Sequence, residues 1–485
     1  MDYLSIIEDY NSLDNEAKKK AVKDIFSIDE GRPLASYIGE DSIRSVLRII
    51  ADAGSRAESL TKENSRLFLR LLESEDPKVR MLTAEILGNA GGFDSELIKA
   101  CRAEQTMFTL PSYLLAIGRS KTPAAKRYLE NYDLRSEVEK HIAEEKEALR
   151  KALANFIERK NVSVSLSEKD VLLLDCANPG ITAAEAKEKG IKAKRSGRYV
   201  LAGGLKKYSD IFALRTFQTA YILLGKTTWD DMPSKLNSLV GAIRSRISET
   251  NYRLEISGVT HEKRASVMTS CIDALEGLIN TPSSYSFEIE LRDTGSCVLI
   301  LADPHLDRRF DYRKKAVSAS ISPSVAAAVC FAAKEYFDGY DRVLDDFCGS
   351  GTMLFERAFY PHFSLTGVDI SQTAVDAAKE NAVAAGRKAK FFHADALRFD
   401  GKEYDEVICN MPFGIRVSSH KKNVELYNAY INLLPSIIKK GGHAFLYTHE
   451  KTLIEDIFKK KNIKVISKTT FDAGGLYPAL YIIGF

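Results

Sequence analysis

Val343-Leu344-Asp345-Asp346-Phe347-Cys348-Gly349-Ser350-Gly351-Thr352 decides the fold. A short apolar strand runs into a turn with two glycines, and a helix opens after it. In open α/β sheets, ligands bind at the carboxyl ends of the strands, where such a turn sits. Glycines allow a ligand close to the backbone, and the helix that follows presents its amide donors.

On the C-terminal side the pattern repeats. Leu365-Thr366-Gly367-Val368, Phe391-Phe392, Glu406-Val407-Ile408-Cys409 and Ala444-Phe445-Leu446-Tyr447 read as strands, each separated from the next by a helical stretch. Such alternation predicts a parallel sheet with helices on both faces. The final pair, Lys464-Val465-Ile466 and Tyr481-Ile482-Ile483, is predicted to close the sheet edge with a hairpin. The spacing thus predicts an α/β Rossmann-like domain over 306–485.

Each strand end carries a polar group suited to a nucleoside. Asp369 ends the second strand, eighteen positions after Gly351, where a carboxylate can accept from two ribose hydroxyls. Ser371 is expected to cap the next helix, which leaves Asp369 for the ligand. Asp395, in Phe392-His393-Ala394-Asp395-Ala396, ends the third strand and can meet an adenine amino group. A Gly-x-Gly turn by itself suits NAD as well as S-adenosylmethionine. Four polar turns at four successive strand ends, closing on Asn410-Met411-Pro412-Phe413-Gly414, resemble a class I methyltransferase. That resemblance implies S-adenosylmethionine as cofactor. It implies contacts from Ser322, Asp345, Phe347, Gly349, Gly351, Thr352, Asp369, Ile370, Asp395, Ala396 and Asn410.

The fourth turn suggests the reaction. An exocyclic base amine is a poor nucleophile, because its lone pair is delocalised into the ring. A site helps by accepting the amino protons, so that the lone pair turns towards the methyl group. The Asn410 side-chain oxygen and a backbone carbonyl at Met411 or Pro412 can do this. Pro412 stiffens the loop. Phe413 offers a flat face for the base, and Gly414 leaves room beside it. Catalysis then rests on positioning and electrostatics. Ring-carbon methylation of pyrimidines needs a cysteine in the loop. Cys409 precedes Asn410 on the strand and reads as core, and Cys348 reads as a small packing residue.

The formal charge of +3 is too small for a whole-chain attraction to nucleic acid, so any RNA surface must be local. The seven cysteines show neither metal-ligand spacing nor a disulfide framework, so no metal is expected and a reducing cytoplasm is. Met1-Asp2-Tyr3 does not begin a signal peptide, and no run spans a bilayer, so no membrane partner is expected.

Towards the N-terminus the periodicity changes. Residues 1–132 read as all helical, with apolar residues at three and four spacing. Leu67–Leu72, then Glu75-Asp76-Pro77, then Ala84–Gly88 reads as helix, turn, helix, with Pro77 in a first turn. This resembles a HEAT-type repeat, the alternative being a plain helical bundle. Such a region can bind a protein partner. Residues 133–162 are dense in Glu, Lys and Arg and read as a solvated linker helix. Residues 163–305 read as mixed α and β. Val171–Leu174, Tyr199–Leu201 and Tyr252–Ile256 are expected strands. Ala213–Leu224, Ser234–Ile247 and 262–279 are expected helices. Ser286–Leu291 and Cys297–Leu301 form an expected hairpin around Asp293-Thr294-Gly295.

With these residues in place, the stretch from about 170 to 485 resembles THUMP-domain RNA guanine-N2 methyltransferases. Ala177-Asn178-Pro179-Gly180-Ile181 with Glu185 is similar to that family's opening strand-to-helix turn. Tyr252–Ile256 and Lys263-Arg264 resemble its THUMP strand and following helix. Arg308-Arg309, Tyr312-Arg313 and Ser320–Ala328 are similar to the segment that packs over its cofactor. The resemblance implies an α+β region (ferredoxin-like plus THUMP) followed by a Rossmann-like methyltransferase domain, and with the HEAT-like all-α region before them the chain is expected to be multidomain. It implies RNA as partner, chiefly tRNA, methylated at guanine N2, with Arg244, Lys263 and Arg264 as candidate RNA contacts. Ribosomal RNA guanine-N2 or adenine-N6 methylation uses the same chemistry, and a non-catalytic RNA-binding adaptor is the reading from another class. The chain departs from the family at Asp346 (usually Pro), at Met411 (commonly Pro or Leu) and in its helical N-terminal region. Two adjacent buried carboxylates are costly, so Asp346 is expected to be exposed or to cap the next helix.

Overall fold

A computed structural model describes residues 3–27, 29–38, 42–156, 163–247, 250–281, 285–317, 320–401, 403–412 and 420–485. The chain divides into two compact units, Met1–Val162 with Trp229–Ile289, and Ser163–Thr228 with Glu290–Phe485. The expected 163–305 region is therefore divided between them. Strands among the described residues follow the chain as β1 (Val171–Cys176), β2 (Lys192–Ser196), β3 (Tyr199–Gly203), β4 (Phe217–Thr227), β5 (Asn251–Ser257), β6 (Ile279–Asn280), β7 (Phe287–Asp293) and β8 (Val298–Asp303). They continue as β9 (Arg342–Asp345), β10 (Ser364–Asp369), β11 (Lys390–His393), β12 (Tyr404–Asn410), β13 (Ile438–Thr448), β14 (Val465–Thr470) and β15 (Ala479–Gly484).

In the first unit, local sequence sets the helix starts. Asp76 accepts from the Lys78 amide with Pro77 in the first turn of Pro77–Ala90, and Thr122 does the same for Pro123–Glu130 through the Ala125 amide. Ile43–Ala53, Pro77–Ala90, Leu110–Ser120 and Glu139–Ala154 pack one against the next in that order. The close approach needs glycine. A Cβ on Gly88 would stand 2.7 Å from the Ala116 backbone, and one on Gly118 would stand 2.7 Å from that of Ala152. Glu139–Ala154 is not the expected solvated linker. Ala148 and Ala152 are buried, and the buried Glu145 carboxylate accepts from the Tyr132 hydroxyl and the Arg135 and Ser136 amides. Its exposed charges lie on one face only, and the alanines bury the other. The same unit holds β5, which pairs in parallel with β6, and helices Met232–Arg246 and His261–Ala274.

In the second unit, β2-β3-β1-β4-β8 form an antiparallel sheet. The helix expected over Ala213–Leu224 is instead strand β4. Phe217, Ala220, Tyr221 and Leu224 happen to fall at helical spacing, but β4 has a partner on each edge, β1 and β8, and this pairing outweighs the local pattern. Asn178 caps helix Pro179–Glu188 through the Ile181 amide, and its Nδ2 donates to the Thr470 carbonyl of β14.

The remaining sheet has the order β11-β10-β9-β12-β13-β15-β14. The first five strands are parallel, and β15 runs antiparallel to both neighbours. The expected β14/β15 pairing forms, with β15 inserted beside β13 rather than at the edge. Val407 and Cys409 of β12 enter one apolar cluster and Ile408 the other, so helices cover both faces. No helix among the described residues is long and apolar enough to cross a membrane.

Candidate active site

The carboxyl ends of β9, β10, β11 and β12 gather the groups that the spacing singled out. After β9 the chain turns through Gly349 and Gly351, at φ of +53° and +82°, where side chains are strained. A Cβ on Gly351 would also stand 2.7 Å from the Phe355 ring. Asp369, at the end of β10, accepts from the Gly349 amide at 2.9 Å and the Ser371 amide at 2.8 Å. Ser371 caps the next helix through the Ala374 amide, as expected. Asp369 is thus occupied by backbone rather than free, although each oxygen keeps a second lone pair for a ligand. The exposed side chain of Ile370 follows it. Asp395 accepts from the Leu397 amide at 2.9 Å, and the Ala394 amide donates to the Asp369 carbonyl, which ties the third strand end to the second. Ala396 is buried, and Thr352 is buried with its hydroxyl 3.4 Å from that of Ser350.

The Asp345-Asp346 pair overturns one expectation, for both side chains are buried. Asp345 accepts from the Phe347 amide, and burial pushes its carboxyl well above the usual carboxylate range. Burial pushes Asp346 up to about 7. The cost is met partly by Tyr430, whose hydroxyl donates to Asp346 Oδ2 at 2.9 Å while its ring meets Phe347 edge-on at 4.9 Å. Asp346 Oδ1 and Asn410 Oδ1 are buried and have no hydrogen-bond partner among the described residues. Such atoms cost about 1–3 kcal/mol each until a donor reaches them.

Asn410 is the last residue of β12. The Met411 side chain is fully buried and its amide donates to the Tyr447 carbonyl, so its contribution to a ligand is confined to its backbone. The Pro412 carbonyl accepts from the Tyr427 hydroxyl at 2.8 Å and from Asn423 Nδ2 at 3.2 Å. With both lone pairs engaged, Pro412 drops out as an acceptor of substrate protons, and Met411 remains. Phe413 and Gly414 lie outside the described residues. Cys409 is fully buried and burial raises its thiol, as befits a core residue.

Ser322 is exposed and precedes helix Pro323–Ala333, with its hydroxyl 3.0 Å from that of Ser324. The preceding segment lies against the glycine turn, for the Ser320 hydroxyl stands 3.3 Å from that of Ser350. Asn381 fastens it. Its Nδ2 donates to the Lys315 and Ser350 carbonyls, and its Oδ1 accepts from the Lys315 amide. Asn381, Asn423, Tyr427 and Tyr430 were not foreseen, although each is a polar residue on the apolar stripe of its helix.

The three basic residues lie in the first unit and have local roles. Arg244 donates to the Gly277 carbonyl at 2.7 Å, Arg264 pairs with Glu255, and the exposed Lys263 stands 5.2 Å from the Trp229 ring centre. Among the described residues no group of His, Cys, Asp and Glu could hold a metal.

Fold and site together define a methyltransferase domain. Residues 310–479 match the family described as "RMKL-like, methyltransferase domain". The tRNA (guanine(6)-N2)-methyltransferase of Thermus thermophilus is 28% identical over 192 residues, 38% of this chain and 55% of that protein. The tRNA (guanine(10)-N2)-dimethyltransferase of Methanothermobacter thermautotrophicus is 29% identical over 147 residues, 29% of this chain and 43% of that one. These matches span about half the length of the curated relatives. The structure of TrmN from Thermus thermophilus superposes with a TM-score of 0.53 at 20% identity, covering 65% of this chain and 99% of that one. SMU.472, a putative methyltransferase complexed with SAH, gives 0.51 at 19% identity, covering 66% and 99%. At that identity the likeness is one of fold. Residues 310–479 are thus a methyltransferase domain related to tRNA guanine-N2 methyltransferases.

Proposed function

We propose that the chain uses S-adenosylmethionine to methylate an exocyclic amino group of RNA, and that the target is guanine N2 in tRNA. The observation that carries this reading is the buried Asn410 Oδ1, without a partner among the described residues at the end of the fourth parallel strand, next in the chain to a Met411 carbonyl and to a Pro412 carbonyl that is engaged. Two acceptors at one strand end suit a group that brings two protons, as an amine does.

The residues present fit the cofactor. Asp369 has lone pairs for ribose hydroxyls, Ile370 an exposed apolar side chain for a base, and Asp346 Oδ1 is an acceptor for an ammonium group. Asp345, Phe347, Gly349, Gly351 and Thr352 form the turn that would cradle it, with Asp395 and Ala396 at the third strand end and Ser322 at the start of helix Pro323–Ala333. When bound, the cofactor supplies an activated methyl group on a sulfonium. Asn410 and the Met411 carbonyl hold the amino protons so that the nitrogen lone pair faces that methyl. Tyr427 and Asn423 hold the Pro412 carbonyl, and Tyr430 holds Asp346.

We read residues 163–305 as the ferredoxin-like and THUMP-like region and the packed N-terminal helices as HEAT-like. Arg244, Lys263 and Arg264 stay candidate RNA contacts, of which Arg244 and Lys263 are exposed. The test is isothermal titration with S-adenosylmethionine, followed by transfer of labelled methyl to bulk RNA. Micromolar cofactor binding with ribonuclease-sensitive label supports the reading. Absence of cofactor binding by the folded protein contradicts it.

A further inference from the structure

The first unit carries a groove of about 670 Å³ that the methyl-transfer chemistry does not use. Helices Asp94–Ala103 and Pro123–Glu130 and the residues that follow line it, with Arg102, Arg127, Arg135, Tyr128, Tyr132 and Asn131 among them. Its volume is that of a small-ligand site, which spans about 300–1,000 Å³.

The groove sets three arginines against one carboxylate, Asp133. Arg32, Arg44, Arg80 and Arg150 of the same helical region each hold a carboxylate. Arg102, Arg127 and Arg135 pair with no carboxylate among the described residues, although Asp133 also lines the groove. Arg135 is fixed by its bonds to the Cys101 and Glu104 carbonyls. Those bonds are to neutral groups, so its charge persists. The Arg102 guanidinium lies 5.3 Å from the Tyr128 ring centre, and Tyr128 meets Tyr132 edge-on at 5.8 Å. Arginines supply phosphate donors, and guanidinium planes and tyrosine rings supply surfaces on which unpaired bases stack. An acidic peptide would satisfy the charge but has no use for the flat surfaces.

We infer that this groove binds an unpaired stretch of RNA, one or two nucleotides long, with Arg102 and Arg127 on its phosphates. The inference rests on the reading of the chain as an RNA methyltransferase, and it gives the helical region a share in holding the substrate.

The test measures binding of a labelled single-stranded RNA hexamer to the full chain across a salt series, for wild type, R102E/R127E and R102K/R127K. Arg135 is left alone because it holds two carbonyls. The charge reversal should weaken binding at least tenfold and lower the salt slope by about 1.4, at about 0.7 per phosphate contact on a single strand. The lysine pair should bind within threefold of wild type. Unchanged affinity and slope in the folded reversal variant would overturn the inference. Ultraviolet crosslinking of the hexamer to the wild-type chain needs no variant. Adducts at Tyr128 or Tyr132 support the groove, and adducts confined elsewhere overturn it. Polyglutamate displacing the hexamer from the groove at lower concentration than RNA does would also overturn it, in favour of an acidic protein partner. Methyl transfer to bulk RNA, measured in parallel, separates the two readings. Transfer with an indifferent groove sinks only this inference, whereas groove binding without transfer sinks only the assignment of activity.

Discussion

The Tyr430 hydroxyl donates to Asp346 Oδ2 at 2.9 Å, and the other oxygen of that buried carboxyl has no partner among the described residues. The carboxyl ordinarily titrates near 3.8 and is pushed up to about 7, chiefly by burial. Between these values the folded chain keeps a proton that the unfolded chain has released, so stability falls as pH rises through that window and is lowest above it. Asp346→Asn should therefore be about 1–3 kcal/mol more stable than wild type at pH 8 in urea unfolding. It should also vary less between pH 5 and 8, with Asp345 keeping part of the slope in the same direction. A cationic ligand group would return Asp346 to its ionised form, so cofactor affinity in wild type should rise from pH 6 to 8 and be flatter in the variant. Equal stability of the two proteins at every pH would show that the buried carboxyl is not neutral.

Asn410→Ala removes the acceptor at the end of β12. Turnover should fall about 100-fold or more, as for loss of a preorganised polar group at a reacting centre. Cofactor affinity should change less than tenfold, because other strand ends hold the nucleoside. Single-turnover transfer and titration calorimetry measure the two effects separately. Wild-type turnover would remove Asn410 from the mechanism.

Tyr427 bonds the Pro412 carbonyl, and its hydroxyl stands 2.7 Å from that of Thr448. Tyr427→Phe leaves the ring and removes both links, at a stability cost of about 1–2 kcal/mol. If the loop's position governs the reaction, kcat falls while KM for the cofactor stays near wild type. A change in stability alone would make Tyr427 a packing residue.

Asn381 holds the Lys315 backbone and the Ser350 carbonyl together. Asn381→Ala should raise the Kd of the cofactor about tenfold by loosening the glycine turn, roughly 1.4 kcal/mol. Calorimetry on the folded variant reads this directly. An unchanged Kd would show that the turn is set by Gly349 and Gly351 without the clamp.

The methyltransferase sheet was legible because its signals are local. Glycines at positive φ, acids at strand ends and a proline-stiffened loop are readable from adjacent residues. What escaped depends on pairing across distance. Phe217–Thr227 has helical spacing but becomes a strand between β1 and β8. Glu139–Ala154 has the composition of a solvated helix, yet its alanines pack against Leu110–Ser120, where Gly118 lets the backbones approach. Asp346 was expected to be exposed or to cap the next helix because a carboxyl pair is costly to bury. The donor that offsets part of that cost, Tyr430, lies 84 positions further along the chain.

The central claim is tested most directly by the identity of the methylated nucleoside. The purified chain is incubated with bulk tRNA, bulk rRNA and methyl-labelled S-adenosylmethionine, and each RNA is digested to nucleosides. The proposal predicts label in N2-methylguanosine from tRNA. Label in methyladenosine, or in rRNA alone, would contradict the assigned substrate, and no label with cofactor bound would contradict methyl transfer to these RNAs.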